Sequence, residues 1–297
     1  MLGPHVVGQR VVVRRIVHGE TGPTGGPAMT DLLGVCLSWS DGVCVVQPET
    51  GPAVSIALAD IVSGKPVPPR PSMRMRVSAR DAEEHTARLW PSIEVRPLGS
   101  WQLRIDTAPT GRRRKRANSC LAMGDPGTPV RDALASVTAF YARRGADALV
   151  QVEADSDLEA AIRAAGWQPL DHGESELVLA SVAGARRALP RQLPDADLRL
   201  GSGHATATVG AGPDLLAEGR AGLDGDWVGL HGVEVATSAR RRGLGTAVVA
   251  TLLEWAAEQG ATTAWLHVET DKPGARAFWA ALGFTPHHTC RYYAPPR

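Results

Sequence analysis

The chain has 297 residues, of which 43% are hydrophobic and 21% are charged. These fractions are typical of a globular protein, and the length is enough for about two domains. The formal net charge of +1 disfavours a general nucleic-acid or membrane-surface binder, because such proteins carry a basic excess. No stretch approaches the roughly 18 apolar residues needed to cross a bilayer, and the N-terminus has no signal-peptide pattern, so we expect a cytoplasmic protein.

Residues 1–67 are predicted to form a small all-β unit. Strands are predicted at 9–17, 32–39, 43–47 and 54–58, with a loop at 18–30 and a turn at 59–65. Asp41-Gly42 between two of these runs is a strong hairpin signal. Short strands, one long loop and no helix favour a small barrel of the SH3-like type, with a packing or substrate-gating role preferred to an independent binding function.

Four cysteines are scattered along the chain at 36, 44, 120 and 290. They are too few for a disulfide framework, and their spacing does not match a zinc site, so we expect no metal. Cys36 and Cys44 are placed to face each other across the predicted hairpin. Buried free thiols are the preferred interpretation of all four in a reducing compartment.

The proline-rich stretch PVPPRP at 66–71 is interpreted as a linker rather than as a ligand for proline-binding modules. After it, a helix is predicted at 79–90 and a strand at 101–105. The basic run at 112–116 is interpreted as a solvated loop and strand edge rather than as a nucleic-acid site, because the chain as a whole is nearly neutral. A polar connector is predicted at 184–199, followed by strands at 205–209 and 216–221.

The most informative stretch runs from residue 228 to 253. An apolar strand at 230–235 leads to Arg240-x-x-Gly243-x-Gly245, and a helix begins at Leu244. The first amides of a helix have no intrahelical partner and carry partial positive charge, so they bind phosphate well. The glycines leave room for an anion, and the arginines at 240–242 add charged donors. The alternative is a solvated basic helix start whose glycines only allow close packing.

The residues downstream of this helix strengthen the phosphate interpretation. They comprise a strand at 264–268, Glu269-Thr270-Asp271, a helix at 275–281 and Leu282-Gly283-Phe284. This series resembles the acetyl-coenzyme A binding half of the GNAT superfamily of N-acetyltransferases, in the same order and at similar spacing. The resemblance implies an α/β (α+β) GNAT fold with mixed sheets and acetyl-CoA as cosubstrate. The overall layout is similar to an actinobacterial GNAT subfamily with an N-terminal barrel, a degenerate half and a catalytic half.

An internal repeat supports two related halves. Gly166-Trp167-Gln168-Pro169 follows a strand and a helix, as Gly283-Phe284-Thr285-Pro286 does. At the position of the phosphate turn, the first copy holds Asp125, which would repel phosphate, so we expect no cofactor there. The predicted domains are therefore 1–67, 68–185 and 186–297, with acetyl-CoA bound to the last.

The resemblance also implies which residues hold the cofactor. The pyrophosphate is expected on the amides of 241–246, and the pantetheine arm along the strand at 233–236. The expected cofactor-binding residues are Val233, Val235, Arg240, Arg241, Arg242, Gly243, Leu244, Gly245, Thr246 and Lys272.

The catalytic candidates are Glu234, His231 and Tyr292, with His267, Glu269 and Tyr293 as alternatives. Side chains alternate between the two faces along a strand, so Val233 and Val235 are expected on one face and Glu234 on the other. Glu234 then faces either the acceptor or solvent. His267 is also interpretable as a structural histidine, and Glu269 as a helix cap. The expected acceptor-binding residues are Arg116, Asn118, Ser119 and Glu269.

Two residues depart from the family pattern. Lys272 stands where the family often has Asn, and Trp279 where it has a tyrosine acid; an indole cannot protonate a thiolate. The resemblance as a whole implies an N-acetyltransferase that acts on a primary amine of an amino acid such as glutamate, of another small amine or of a protein lysine, and we expect a monomer or homodimer. The alternatives are a non-catalytic acyl-CoA sensor and a module in which the barrel recruits a partner.

Overall fold

The computed structural model describes residues 2–22, 25–48, 50–67, 73–109 and 113–296. The chain divides into two compact units, Met1–Ser72 and Met73–Arg297. Most of the predicted linker at 66–71 lies outside the described residues.

The first unit is an antiparallel sheet with the strand order β4-β3-β2-β1-β5. Its strands are β1 (Arg10–Thr21), β2 (Pro27–Ser40), β3 (Val43–Pro48), β4 (Val54–Ala57) and β5 (Ile61–Pro66). The turn predicted at 59–65 is wrong, because this segment pairs with β1 as β5. Gly64 permits that pairing, since a Cβ there would lie 2.7 Å from the carbonyl oxygen of Val12. The predicted loop at 18–30 is shorter than expected, because β1 and β2 extend into it. Closure into an SH3-like barrel stays a prediction.

The hairpin signal and the cysteine interpretation are confirmed in this unit. Asp41 and Gly42 both have positive φ, at 51° and 78°, as a tight hairpin turn requires. The Sγ atoms of Cys36 and Cys44 face each other at 3.9 Å without a bond. Cys120 and Cys290, in the second unit, are also buried free thiols.

The second unit contains one mixed sheet and six described α-helices. Its strands are β6 (Ile93–Leu98), β7 (Trp101–Asp106), β8 (Cys120–Leu121), β9 (Val150–Glu153), β10 (Gln168–Pro169), β11 (Ser175–Ser181), β12 (Asp197–Gly201), β13 (His204–Val209), β14 (Ala217–Asp224), β15 (Trp227–Val235), β16 (Thr263–Glu269) and β17 (Thr285–Ala294). The helices are α1 (Ala79–Glu84), α2 (Val130–Ala142), α3 (Asp157–Ala164), α4 (Val182–Ala188), α5 (Leu244–Glu258) and α6 (Pro273–Ala281).

The internal repeat appears as a repeated order of elements. The series β8-α2-β9-α3-β10 matches β15-α5-β16-α6-β17, and both β8–β9 and β15–β16 are parallel pairs. The two halves nevertheless share one sheet, with the order β12-β13-β14-β15-β16-β11-β17-β9-β8-β7-β6. The last strand of the first half, β11, lies between β16 and β17, and β17 lies between β11 and β9. Each half therefore completes the sheet of the other.

Three local predictions in this unit are corrected. The helix predicted to reach residue 90 ends at Glu84 and continues as a 3₁₀ helix, His85–Leu89. The polar connector predicted at 184–199 contains most of α4, capped by Ser181 and anchored by buried Ala185, and then β12. The basic run, predicted as a loop and strand edge at 112–116, leads into a 3₁₀ turn at Lys115–Ala117, and the strand begins only at Cys120.

The two faces of the sheet have different neighbours. On one face, Val248 and Leu252 of α5 pack with Leu230 and Leu266 in the largest apolar core. On the other face, the segment at 73–90 covers Trp265. Among the described residues, no helix is long and apolar enough to cross a membrane.

Candidate cofactor cleft and acceptor face

The parallel pair β15–β16 separates part-way along its length. It is paired only from Trp227 to Gly229 on β15 and from Thr263 to Trp265 on β16. Beyond these residues, β15 keeps its pairing with β14, and β16 keeps its pairing with β11, but the two strands no longer pair with each other. Gly232, with φ 60°, lies in a bulge on β15, since three steps on β15 match two on β14. The bulge increases the local bend of the strand, and the result is an opening between β15 and β16.

The turn after β15 ends in a helix start whose amides have no partner. Arg241 and Gly243 have positive φ, at 62° and 78°, and no side chain among the described residues caps α5. In the described chain, the first backbone bond of α5 is donated by Ala247, to the carbonyl of Gly243 at 2.9 Å. The amides of 244–246 are therefore available to an anion, and successive amides beside left-handed residues form a concave anion site.

The side chains of this turn leave the amides accessible. Arg240, Arg241, Arg242 and Gly243 are exposed, and the Nε of Arg240 donates to the carbonyl of Val235 at 3.3 Å. A Cβ on Gly243 would meet only the Cδ of Pro194, at 3.7 Å.

The two glycines of the motif serve different needs. Gly243 supplies the left-handed backbone that begins α5. Gly245 allows the helix to approach β15, because a Cβ there would lie 3.2 Å from the Cγ2 of Val235.

The alternation predicted for the end of β15 is confirmed. Val233 and Val235 are half-buried against the core around α5. The side chain of Glu234 is 68% exposed and lies 3.7 Å from a guanidinium nitrogen of Arg114. Glu234 therefore faces away from α5 and is solvated.

The neighbouring β16–α6 turn holds Lys272 and Glu269. Lys272 Nζ lies 3.1 Å from Asp271 and 3.8 Å from Glu269, and the hydrogen bond that it donates to Asp271 raises the pKa of Lys272. Glu269 does not cap α6, since the N-cap position is Lys272 and makes no side-chain cap.

Trp279 is buried among Phe278 and Phe284. It lines a cavity of about 250 Å³ between α6 and the sheet, together with Val178, Val268 and Pro286. The indole ring of Trp279 is thus part of a largely apolar wall.

His231 lies on the face opposite α5, directly after the paired part of β15. Its ring is 5.6 Å from that of Trp90. Burial first, and then the positive charges of Arg220 and Arg114, lower the pKa of His231 to about 3. The imidazole is consequently neutral at pH 7.

A buried carboxylate on the same face was not predicted from the sequence. Glu83 Oε1 lies 2.6 Å from His267 Nε2 and 3.3 Å from His288 Nε2, and accepts a hydrogen bond from the Cys290 thiol at 3.3 Å. Thr86 donates to the other oxygen at 3.1 Å. Burial acts to raise the pKa of Glu83, but His267 and His288 outweigh it and hold that pKa well below its ordinary value.

This cluster explains the position of His267. Burial lowers the pKa of His267 to about 4 against the opposing effect of Glu83, so the ring is neutral and donates to the carboxylate. Glu83, His288 and Cys290 place three potential metal-ligand atoms within 4.8 Å of one another. In the described chain the same atoms already satisfy each other by hydrogen bonds.

The two tyrosines predicted as acid candidates differ sharply. Tyr293 donates to Glu159 Oε1 at 2.7 Å. The Tyr292 hydroxyl is buried without a partner among the described residues. Burial raises the pKa of Tyr292, so the phenol stays protonated and can donate to a ligand.

The predicted acceptor residues at 116–119 are held by the first half of the unit. Asn118 accepts from the amide of Asp106 at 3.2 Å and donates to the carbonyl of Arg114 at 3.0 Å. The carbonyl of Ser119 accepts from Arg104 Nε at 3.3 Å. Arg116 is half-buried, and its Nε has no partner in the described chain. Their contact with an acceptor stays a prediction.

Comparison with solved structures identifies the fold. A GCN5-related N-acetyltransferase from Kribbella flavida is 16% identical with a TM-score of 0.58, covering 74% of this chain and 96% of its own. A conserved protein of unknown function from Staphylococcus epidermidis is 11% identical with a TM-score of 0.50, covering 74% and 98%. The chain therefore has the GNAT fold, the fold of the GCN5-related N-acetyltransferases.

The comparison with sequence families covers a shorter part of the chain than the comparison with solved structures. Residues 206–293 match the family model described as "Probable histone acetyltransferase Rv0428c C-terminal". The match extends from β13 to β17 and covers less than half of the chain, so it is a similarity of this C-terminal part alone. The chain matches no curated protein significantly.

Proposed function

We propose that the protein is an acetyl-CoA-dependent N-acetyltransferase that acts on a primary amine. The observation that carries the proposal is the opening between β15 and β16, which ends at the unpartnered amides of α5. Three exposed arginines beside those amides fit a diphosphate, and no carboxylate of the described chain pairs with them.

The residues of the cleft fit the rest of the cofactor. The pyrophosphate would lie on the amides of 241–246, and the pantetheine arm along Val233 and Val235, whose strand has no partner on the β16 side. A main-chain amide of this strand would face the thioester oxygen, and losing such a donor typically costs about 3 to 4 kcal/mol of barrier. Acetyl-CoA supplies the activated acyl group as a thioester.

His231 is the proposed base. Its imidazole lies on the face opposite α5 and is unprotonated at pH 7, so a ring nitrogen can accept a hydrogen bond from the attacking amine, although the low pKa makes it a weak base. Glu234 is less suitable, because it is solvated and beside Arg114. His267 is already the donor in a buried bond to Glu83.

A non-catalytic acyl-CoA sensor is the second candidate. It is favoured by Trp279 in place of the tyrosine and by the low pKa of His231, since efficient bases have a pKa near the working pH. A cytoplasmic location and a monomeric or homodimeric state are part of the same proposal.

Calorimetry with acetyl-CoA, followed by thiol release with a panel of amines, tests both candidates. Binding and turnover support the transferase. Binding without turnover on any amine supports the sensor, and failure to bind rejects the cofactor site.

A further inference from the structure

A buried group of three side chains joins α1 to the last strand of the sheet. The side chain of Glu83 is fully buried, and its Oε1 lies 3.3 Å from His288 Nε2 and 3.3 Å from Cys290 Sγ, both on β17. These oxygen, nitrogen and sulfur atoms all lie within 4.8 Å of one another. Among the described residues, no other group of histidine, cysteine and carboxylate side chains meets in this way.

The charge of the Glu83 carboxylate is balanced by no permanent cation in this group. In the described chain, its ion-pair partners are His267 and His288. A histidine carries a charge only when both ring nitrogens are protonated. Because buried charges in proteins are normally paired or bound to a metal ion, the carboxylate needs either a protonated histidine or a bound cation.

The hydrogen-bond network determines which nitrogen of His288 faces the carboxylate. The carbonyl of Val77 can only accept, so His287 Nε2 donates to it at 3.0 Å. In a neutral ring, His287 Nδ1 then accepts, and His288 Nδ1 donates to it at 2.7 Å. The Nε2 of a neutral His288 therefore carries a lone pair toward Glu83 Oε1. Two lone pairs repel, so this contact is favourable only when a cation, either a proton or a metal ion, lies between the two atoms.

We propose that Glu83, His288 and Cys290 bind one divalent cation, zinc in preference to magnesium or calcium. Carboxylate, imidazole and thiolate ligands together suit zinc, whereas magnesium and calcium take oxygen ligands. Bond lengths of about 2.0 to 2.3 Å place the ligand atoms of a tetrahedral zinc ion roughly 3.3 to 3.7 Å apart. Two of the three separations in this group are already 3.3 Å. Three protein ligands leave the fourth position to water.

The residues around the three ligands hold them in place. A ligating histidine usually donates its second ring N–H to a fixed acceptor, as His288 does to His287. The carboxylate of Glu83 is held through both oxygens, by His267 Nε2 at 2.6 Å and by the Thr86 hydroxyl at 3.1 Å. The ligands therefore need little rearrangement to take up an ion.

Binding keeps the group electrically neutral. The ion displaces the thiol proton of Cys290 and the proton between His288 and Glu83, and both protons leave to solvent. Glu83 and Cys290 are 207 residues apart, so the ion would fasten α1 to β17 and stabilise the fold, whatever reaction the protein catalyses. The expectation of no metal was based on the cysteine spacing, which does not reveal ligands that folding brings together.

The test loads the metal-stripped full chain, without an affinity tag, with zinc. After desalting, elemental analysis is expected to find one zinc ion per chain, and the midpoint of thermal unfolding should rise, because the ion binds only the folded state. X-ray absorption at the zinc edge should show one sulfur ligand, with nitrogen and oxygen as the others. Two sulfurs would assign the ion to Cys36 and Cys44, and no sulfur would assign it to other side chains. Either result, an unchanged midpoint, or no retained zinc overturns the proposal.

A matched pair of cysteine variants locates the ion. Cys290→Ser is expected to weaken zinc binding at least about 100-fold, because the loss of even a residue that only supports a ligand costs roughly 10- to 100-fold. Cys120→Ser alters another buried free thiol of the second unit and should leave the affinity unchanged. Competition with a chelating dye measures both affinities. Equal affinities would overturn the assignment, and the absorption spectrum of the unaltered chain decides if Cys290→Ser does not fold.

Discussion

Tyr292 and Tyr293 are adjacent on β17, and their side chains lie on opposite faces with opposite environments. Tyr293 donates to Glu159 at 2.7 Å, whereas the Tyr292 hydroxyl has no partner in the described chain. The two residues therefore form a natural pair in which one hydroxyl is structural and the other is available to a ligand.

Replacing each by Phe should separate stability from activity. Tyr293→Phe removes a hydrogen bond to a charged group and is expected to lower the free energy of unfolding by about 1.5 to 3 kcal/mol, with activity retained. Tyr292→Phe should be near neutral in stability and should raise KM for the acceptor. Denaturant unfolding and steady-state kinetics measure the two effects. A fall in kcat without a change in KM for Tyr292→Phe would indicate that Tyr292 acts as the general acid instead.

Gly243→Asp is expected to weaken acetyl-CoA binding at least about 100-fold, because it places a carboxylate within a few ångströms of a phosphate. Gly260→Asp is the control, since Gly260 lies just beyond the other end of α5 and also has a positive φ, at 85° compared with 78° for Gly243. Calorimetry with acetyl-CoA compares them. Equal affinities of the two variants for acetyl-CoA would show that the phosphate does not bind at this turn.

Glu83→Ala should destabilise the protein by about 3 to 5 kcal/mol, because it leaves buried donors of His267, His288, Cys290 and Thr86 without an acceptor. Glu84→Ala, the next residue, removes only a partly exposed ion pair with Arg80 and should cost at most about 1 kcal/mol. Urea unfolding of both variants tests this difference, and comparable losses would show that the cluster does not stabilise the fold.

The unfolding free energy should fall as the pH decreases from 6.5 toward 3, in part because of His231. Its pKa is lowered from an ordinary 6.5 to about 3 in the folded protein, so in this range the unfolded chain binds a proton that the folded chain does not. The contribution to the slope is at most about 1.4 kcal/mol per pH unit. His231→Gln should flatten the dependence, whereas His172→Gln, at an exposed position, should not. Parallel pH profiles for the two variants would contradict the burial of the His231 charge.

Residues 186–297 alone are expected not to fold. This fragment contains β16 and β17 but lacks β11, which lies between them and pairs with both. A longer fragment beginning at residue 73 contains all strands of the sheet and should give dispersed amide signals in NMR spectra. Dispersed signals from 186–297 would show that the C-terminal half closes its sheet without β11.

Much of the candidate cofactor cleft could be predicted because its signals are local. The strand ending at Val235 and the helix beginning at Leu244 agree with the sequence pattern to the residue. The signals are the spacing of apolar residues, every second residue in a strand and every 3.6 residues in a helix, and the glycines of the turn. All of them depend on residues close together in sequence, so they can be recognised without knowledge of the fold.

The acceptor face could not be predicted in the same way. Glu83 stands in a run of charged residues that is typical of a solvated helix, and only the packing of 73–90 against the sheet buries it. Arg104, between Leu103 and Ile105 on β7, was a usable signal that was missed, since a charged residue inside an apolar strand needs a partner. The insertion of β11 left no local trace, because its partners are remote in sequence.

The exchanged strands bear on how such a protein can be recombined. Chain order suggests a seam near residue 185, yet β11 precedes it and has its neighbours, β16 and β17, after it. A chimera that joined the first half of this protein to the C-terminal half of a relative would place β11 between two strands of the relative. The residues of β11 evolved to pack between β16 and β17 of this protein, not between those strands. Mutations on β11 and on its two flanking strands are therefore expected to compensate one another. The two copies of the duplicated unit would then have evolved together rather than independently.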